Sequence, residues 1–127
     1  MLTIPSEMSR IPNAIGAVGP ASRELDTTAV ARSRLYVDRR ESAVNEAGEF
    51  VQAQAEGAIG QDHIVGEIGE VLAGTAPGRQ TQEEITVFRG VGLAIEDLAA
   101  ARVIYQRAVD GGAGVRVELG GGRHAGA

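Results

Sequence analysis

The chain has 127 residues, one domain's worth of protein and enough to bury a core. A net charge of −5 argues against a nucleic-acid-binding role, which needs a basic face. All 12 basic residues are arginine and cysteine is absent, which excludes Schiff-base and phosphate-binding lysines, disulfides, thiol nucleophiles and thiolate-held zinc.

Residues 1–12, with Pro5 and Pro12, are expected to be irregular. They lack the apolar run of a secretory signal, and no stretch approaches the roughly 18 apolar residues of a membrane span. The expectation is a cytoplasmic protein with no membrane partner. Asn13 to Val18 reads as a short buried strand that stops before Gly19-Pro20. Asp26 is placed to cap a helix through "TTAVARS", because its carboxylate can accept the free N–H groups of a first turn. Arg34 to Asp38, "RLYVD", is β-branched and aromatic enough for a second strand. Glu41 to about Ala58 is helix-forming, interrupted at Gly48.

"DHIVGEIGEVLAG" reads as a further helix ending at Gly74, with Pro77-Gly78 beyond it. Glu84 to Phe88, "EITVF", is a third strand. From Val91, the positions Ala94, Ile95, Leu98, Ala101, Tyr105, Ala108 and Val109 recur at three- and four-residue steps and predict the longest helix. Its alanines suit close packing on a sheet, and Gly111-Gly112 ends it. Val115 to Leu119 alternates like a fourth strand, and "GGGRHAGA" reads as a flexible tail. Strands alternating with helices predict an α/β fold with a parallel sheet, thin enough to be part of a layered domain.

Three segments carry a family resemblance: "NAIGAVGPASRELD", "RLYVDRRESAVNEAGEF" and "IGEVLAGTAPGRQTQEEITVFRGVGLAIEDLAAARVIYQRA". In this order and spacing they resemble the C-terminal part of the ornithine cyclodeaminase/mu-crystallin family, from about Asn13 to Leu119. The resemblance implies later strands and helices of a Rossmann-type domain binding NAD or NADP. It implies hydride exchange between nicotinamide and a carbon bearing an amine or imine, on a small amino- or imino-acid substrate. The implied organisation is an irregular segment over 1–12, a partial Rossmann-like domain over 13–113, and a strand and tail over 114–127. The strand would leave for the family's other domain and, unprotected, would favour a homo-oligomer.

The resemblance also implies site residues. Ile15, Gly16, Ala17 and Val18 would lie beside the nicotinamide, since ligands sit at the C-terminal ends of such strands. Ser22 and Gly90 would be cofactor contacts, and Val91 would face substrate. Val18 stands where cyclodeaminases carry an aspartate that moves the proton, and valine cannot do so. Gly90 stands where many members carry serine, a loss of about 1 kcal/mol of hydrogen bonding. Ser22 stands where the cyclodeaminase has a lysine. No GxGxxG is present, and the family's fingerprint and substrate-binding Arg and Lys belong to the part before the match. No catalytic residue is therefore assigned, and the chain is expected to be inactive alone and to hold no cofactor tightly. The alternative is a non-catalytic interaction module or remnant that pairs with other chains.

Other polar residues receive structural readings. Arg79 reads as a loop arginine or ion-pair member. Asp97 reads as a satisfied helix carboxylate paired with Arg102 or a backbone N–H. His63 lacks a partner and a cleft, and His124 falls in the tail. Glu67 and Glu70, three apart, could join His63 on a metal, but a solvated face is the preferred reading, and no metal is expected.

Overall fold

The computed structural model describes residues 12–117. The chain divides after Leu93 into two compact units. The first is a four-stranded parallel sheet with helices, an α/β fold.

Its elements alternate broadly as expected, with one strand more than the sequence suggests. Strand β1 (Asn13–Ala14) is followed by α1 (Thr27–Ala31), β2 (Arg34–Val37), α2 (Arg40–Glu46) and α3 (Gly48–Ala55). A 3-10 turn over Gln61–His63 then leads to β3 (Ile64–Glu67), α4 (Ile68–Leu72) and β4 (Thr86–Arg89). The order across the sheet is β1-β4-β2-β3, so the last strand in sequence inserts between the first two.

Local chemistry sets the boundaries. Asp26 caps α1 as expected, accepting a hydrogen bond from Ala29 N at 2.7 Å. The helix expected from Glu41 breaks at Ala47, and Gly48 opens α3. A β-carbon on Gly48 would lie 1.9 Å from Ser22 O, so only glycine permits this approach of α3 to the connection between β1 and α1. Strand β1 is shorter than the expected Asn13–Val18, because ladder pairing with β4 ends at Ala14 and Arg89. The third predicted strand, Glu84–Phe88, forms as Thr86–Arg89.

One element is a correction. The expected helix over "DHIVGEIGEVLAG" is instead β3 followed by α4. The apolar positions in this stretch suit either period. Pairing with β2 decides for the strand, with Leu35 opposite Ile64 and Val37 opposite Glu67. Glu67 and Glu70 then form a capping box that starts α4.

The core lies on one face of the sheet. Ala14, Leu35, Val37, Val87 and Ile64 pack with Ala29 and Val30 of α1, Ala43 of α2 and Phe50 and Ala53 of α3. Alanine at many of these positions fits the low aromatic content and the close helix–sheet distance it allows. The alternate residues Asn13, Tyr36, Thr86 and Phe88 face the other side. There they line a hollow of about 360 Å³ with Ile68, Val71 and Arg79.

The second unit contains α5 (Ala94–Asp110). None of its residues is buried, and Ile95, Leu98, Tyr105 and Val109 of the predicted stripe are exposed. Helix α5 ends before Gly111-Gly112, and Gly112 adopts a positive φ of 60°. Of the expected strand Val115–Leu119, Val115–Val117 run as irregular chain, and Glu118 and Leu119 lie outside the described residues, as does the tail with His124. No helix among the described residues is long and apolar enough to cross a membrane.

Candidate functional site

Parallel strands deliver their C-terminal ends to one edge of the sheet, and β1 and β4 are neighbours there. The hydrogen bonding extends one residue past β4, with Gly90 N donating to Ala14 O at the end of β1 at 3.2 Å. Ile15–Val18 and Gly90–Val91 therefore leave the sheet side by side. A β-carbon on Gly90 would sit 3.4 Å from Ile15 Cγ2 and 3.3 Å from Phe88 Cε1. A serine β-carbon here would need only a small shift of the Phe88 ring and would meet Ile15 in ordinary contact.

The resulting edge is apolar and open. Ile15 is 69% exposed and Val18 is 87% exposed, large side chains with nothing over them among the described residues. Ala17 and Val91 are half-buried, while Gly16 is exposed. Ser22 lies further on, exposed, in a turn closed by Ser22 N donating to Gly19 O. The structure thus sets Ile15 beside Gly90 and puts Ser22 in a separate turn.

Beneath this edge lies a buried polar network. Arg89 and Glu49 are each 1% exposed and pair through Nε and Oε2 at 2.7 Å. The Arg89 Nη1 group donates to Ala14 O at 3.1 Å and Gly90 O at 2.5 Å, and Nη2 donates to Ala17 O at 2.6 Å. The other Glu49 oxygen accepts Glu24 N at 2.6 Å, and Glu24 in turn accepts Gly16 N at 2.8 Å. Asp38, directly after β2, accepts Val91 N at 2.7 Å, Gly92 N at 2.6 Å and Arg39 N at 2.8 Å.

Burying a guanidinium and a carboxylate carries a large desolvation cost, recovered only when geometry and remaining hydrogen bonds are good. Here the remaining donors go to backbone carbonyls at the end of β1 and in the two loops, so the cost is offset at the edge of the sheet. None of Glu24, Asp38, Glu49 and Arg89 stands out as functional in the sequence. The available signal is a charge ending an apolar strand, as in "LYVD" and "TVFR".

The other candidates take structural places. Arg79 donates to Glu84 O from the loop beside the hollow. His63 Nε2 donates to Val30 O at 2.9 Å, which fixes that nitrogen as protonated. Glu67 and Glu70 serve the α4 capping box, with Glu67 N donating to Glu70 Oε2 at 2.8 Å. His63 and the two glutamates are therefore not drawn together. Asp97 lies exposed in the first turn of α5, where the helix dipole favours a carboxylate. It forms no ion pair with Arg102 among the described residues, because five residues is the wrong spacing for one helical face.

Known proteins resemble this chain in sequence and fold. The profile of the ornithine cyclodeaminase/mu-crystallin family matches residues 10–112. Alanine dehydrogenase of Archaeoglobus fulgidus is 42% identical over 107 residues, covering 84% of this chain and 33% of that protein. The structure of Thermococcus litoralis Delta(1)-pyrroline-2-carboxylate reductase, in complex with NADH and L-proline, superposes with a TM-score of 0.74 at 42% identity. It covers 84% of this chain and 33% of its own. An archaeal alanine dehydrogenase dimer with bound NAD gives a TM-score of 0.69 at 40% identity, covering 87% of this chain and 34% of its own. The chain spans about a third of the length of the curated relatives it matches.

Proposed function

Since the chain belongs to the ornithine cyclodeaminase/mu-crystallin family, we propose that its β1 and β4 ends form one wall of an NAD(P) nicotinamide site. Ile15, Gly16, Ala17, Val18 and Gly90 line the cofactor side of this wall, Ser22 adds a contact from its turn, and Val91 faces substrate. The sheet is the later part of a Rossmann-type domain. The chemistry served is hydride exchange with a small amino or imino acid, of the dehydrogenase or reductase kind. Val18 offers no proton carrier, which disfavours cyclodeamination.

One observation carries this reading. The two loops that the resemblance assigns to nicotinamide emerge side by side at the sheet edge, joined by the Gly90 N–Ala14 O bond, with an exposed apolar surface. On its own the chain supplies a wall without the Gly-rich turn that holds a pyrophosphate. The isolated chain is therefore inactive, and the wall acts only when the rest of a family subunit faces it.

A graft tests this. The matching segment of the Archaeoglobus fulgidus alanine dehydrogenase is replaced by residues 13–117 of this chain. The chimera is expected to quench its protein fluorescence saturably with NADH. In calorimetry the isolated 127-residue chain is expected to give no saturable isotherm at micromolar NADH. A chimera that folds by circular dichroism but takes up no NADH overturns the wall assignment. A saturable isotherm from the isolated chain overturns its dependence on a facing part.

A further inference from the structure

Beyond the Gly90 N–Ala14 O bond, no backbone hydrogen bond joins loop 15–18 to loop 90–92 among the described residues. The cross-link is a side chain. Arg89 reaches Ala14 O at the end of β1, Ala17 O in loop 15–18 and Gly90 O in loop 90–92, while Glu49 holds its Nε. A second arm closes the circuit. Glu49 accepts Glu24 N, and Glu24 accepts Gly16 N. The Gly16–Ala17 segment is thus gripped by its N–H through Glu24 and by its C=O through Arg89.

We propose that Arg89, oriented by Glu49, is a positioning residue that fixes loop 15–18 against the end of β4, so that both halves of the wall keep one spacing. The proposal rests on the nicotinamide reading for its purpose and on the buried network for its geometry. A guanidinium is required because its planar fork serves several acceptors in fixed directions. A lysine ammonium is a single point on a flexible stem and cannot reach Glu49 Oε2 and three carbonyls together. Loop 90–92 has its own anchor in Asp38, which takes Val91 N and Gly92 N. The two anchors predict separable effects. Loss of Arg89 frees loop 15–18 while Asp38 still holds 91–92.

The test uses the ¹⁵N-labelled full chain without cofactor. Backbone order parameters at Ala17 and Val18 are expected near the rigid value of about 0.85 in the native protein and below about 0.6 in Arg89→Met and Arg89→Lys. Val91 and Gly92 stay near their native values in both variants. Val30→Ala, a core truncation away from the network, lowers global stability and leaves Ala17 and Val18 rigid. Native chain alone gives a further readout, since the Arg89 Nη protons should show separate, slowly exchanging signals. Unchanged order parameters at Ala17 and Val18 in a folded Arg89 variant would overturn the proposal. So would rescue by lysine, equal loosening in Val30→Ala, or, if the Arg89 variants do not fold, an averaged Arg89 guanidinium signal in the native chain. Failure of NADH uptake by the chimera leaves these order parameters standing, and loss of the clamp leaves that uptake standing, so the two readings fail separately.

Discussion

Asp38→Asn is expected to destabilise the first unit by about 3–6 kcal/mol, the sum of one lost and two weakened hydrogen bonds to a charged acceptor. Asp38 is 6% exposed and accepts three backbone N–H groups, two on Oδ2 and one on Oδ1. Asparagine keeps the shape but has a single carbonyl oxygen. If that oxygen faces Val91 and Gly92, its amide faces Arg39 N, donor against donor, and one bond worth about 1.5–3 kcal/mol goes. The two bonds retained become neutral ones of roughly half the strength. The flipped amide loses two bonds and is worse. Urea unfolding measures the effect. With a slope of about 1–3 kcal/mol per molar, the midpoint should fall by at least about 1 M. Hydrogen exchange should show Val91 and Gly92 losing protection before the core strand β2 does. A midpoint within about 0.3 M of native, roughly a kcal/mol or less at such slopes, with both amides still protected, would refute the anchoring role.

Gly48→Ala puts a β-carbon 1.9 Å from Ser22 O, and the backbone shift it forces is expected to cost at least about 3 kcal/mol, read as a lowered urea midpoint or loss of the folded circular-dichroism signal. Glu56 is held below its ordinary value of 4.5, first by the Thr27 hydroxyl and then by Arg23, and Glu84 likewise, first by Gln80 N–H. A depressed carboxylate contributes stability present above the unfolded value and lost as pH falls through the folded one. The urea midpoint should therefore drop as pH falls below the ordinary carboxylate value of 4.5, and drop less in Glu56→Gln. The isolated native chain and Val18→Asp alike are expected to release no ammonia from ornithine and to oxidise no NADH with pyruvate or cyclic imines, because single repairs do not restore groups that act as a unit. Coupled absorbance assays against a heat-killed control check this.

Much of the fold was readable because its determinants are local. Asp26 before "TTAVA" names its own helix start, since a cap needs only the residues of one turn. "RLYV" is a strand by composition, and the break at Gly48 marks two helices. The stripe from Ala94 makes α5 a helix whatever it packs on. The same ordered motifs carried the family resemblance, and with it Ile15–Val18, Gly90 and Val91 as the segments to examine.

What could not be read depends on which strands meet. "IVGE" carries apolar residues at spacings that suit a helix, and only its ladder with β2 makes it a strand. Nothing local says that β4 enters between β1 and β2, yet that insertion sets Ile15 beside Gly90. Arg89 looks like any arginine ending a strand. Its burial, its pairing with Glu49 forty residues away and its reach to Ala17, seventy-two residues away, exist only once β1, α3 and β4 converge. Periodicity and capping are properties of a few consecutive residues, so the chain alone settles them. A buried ion pair is a property of three distant segments meeting in a place without water, and the folded arrangement alone creates it.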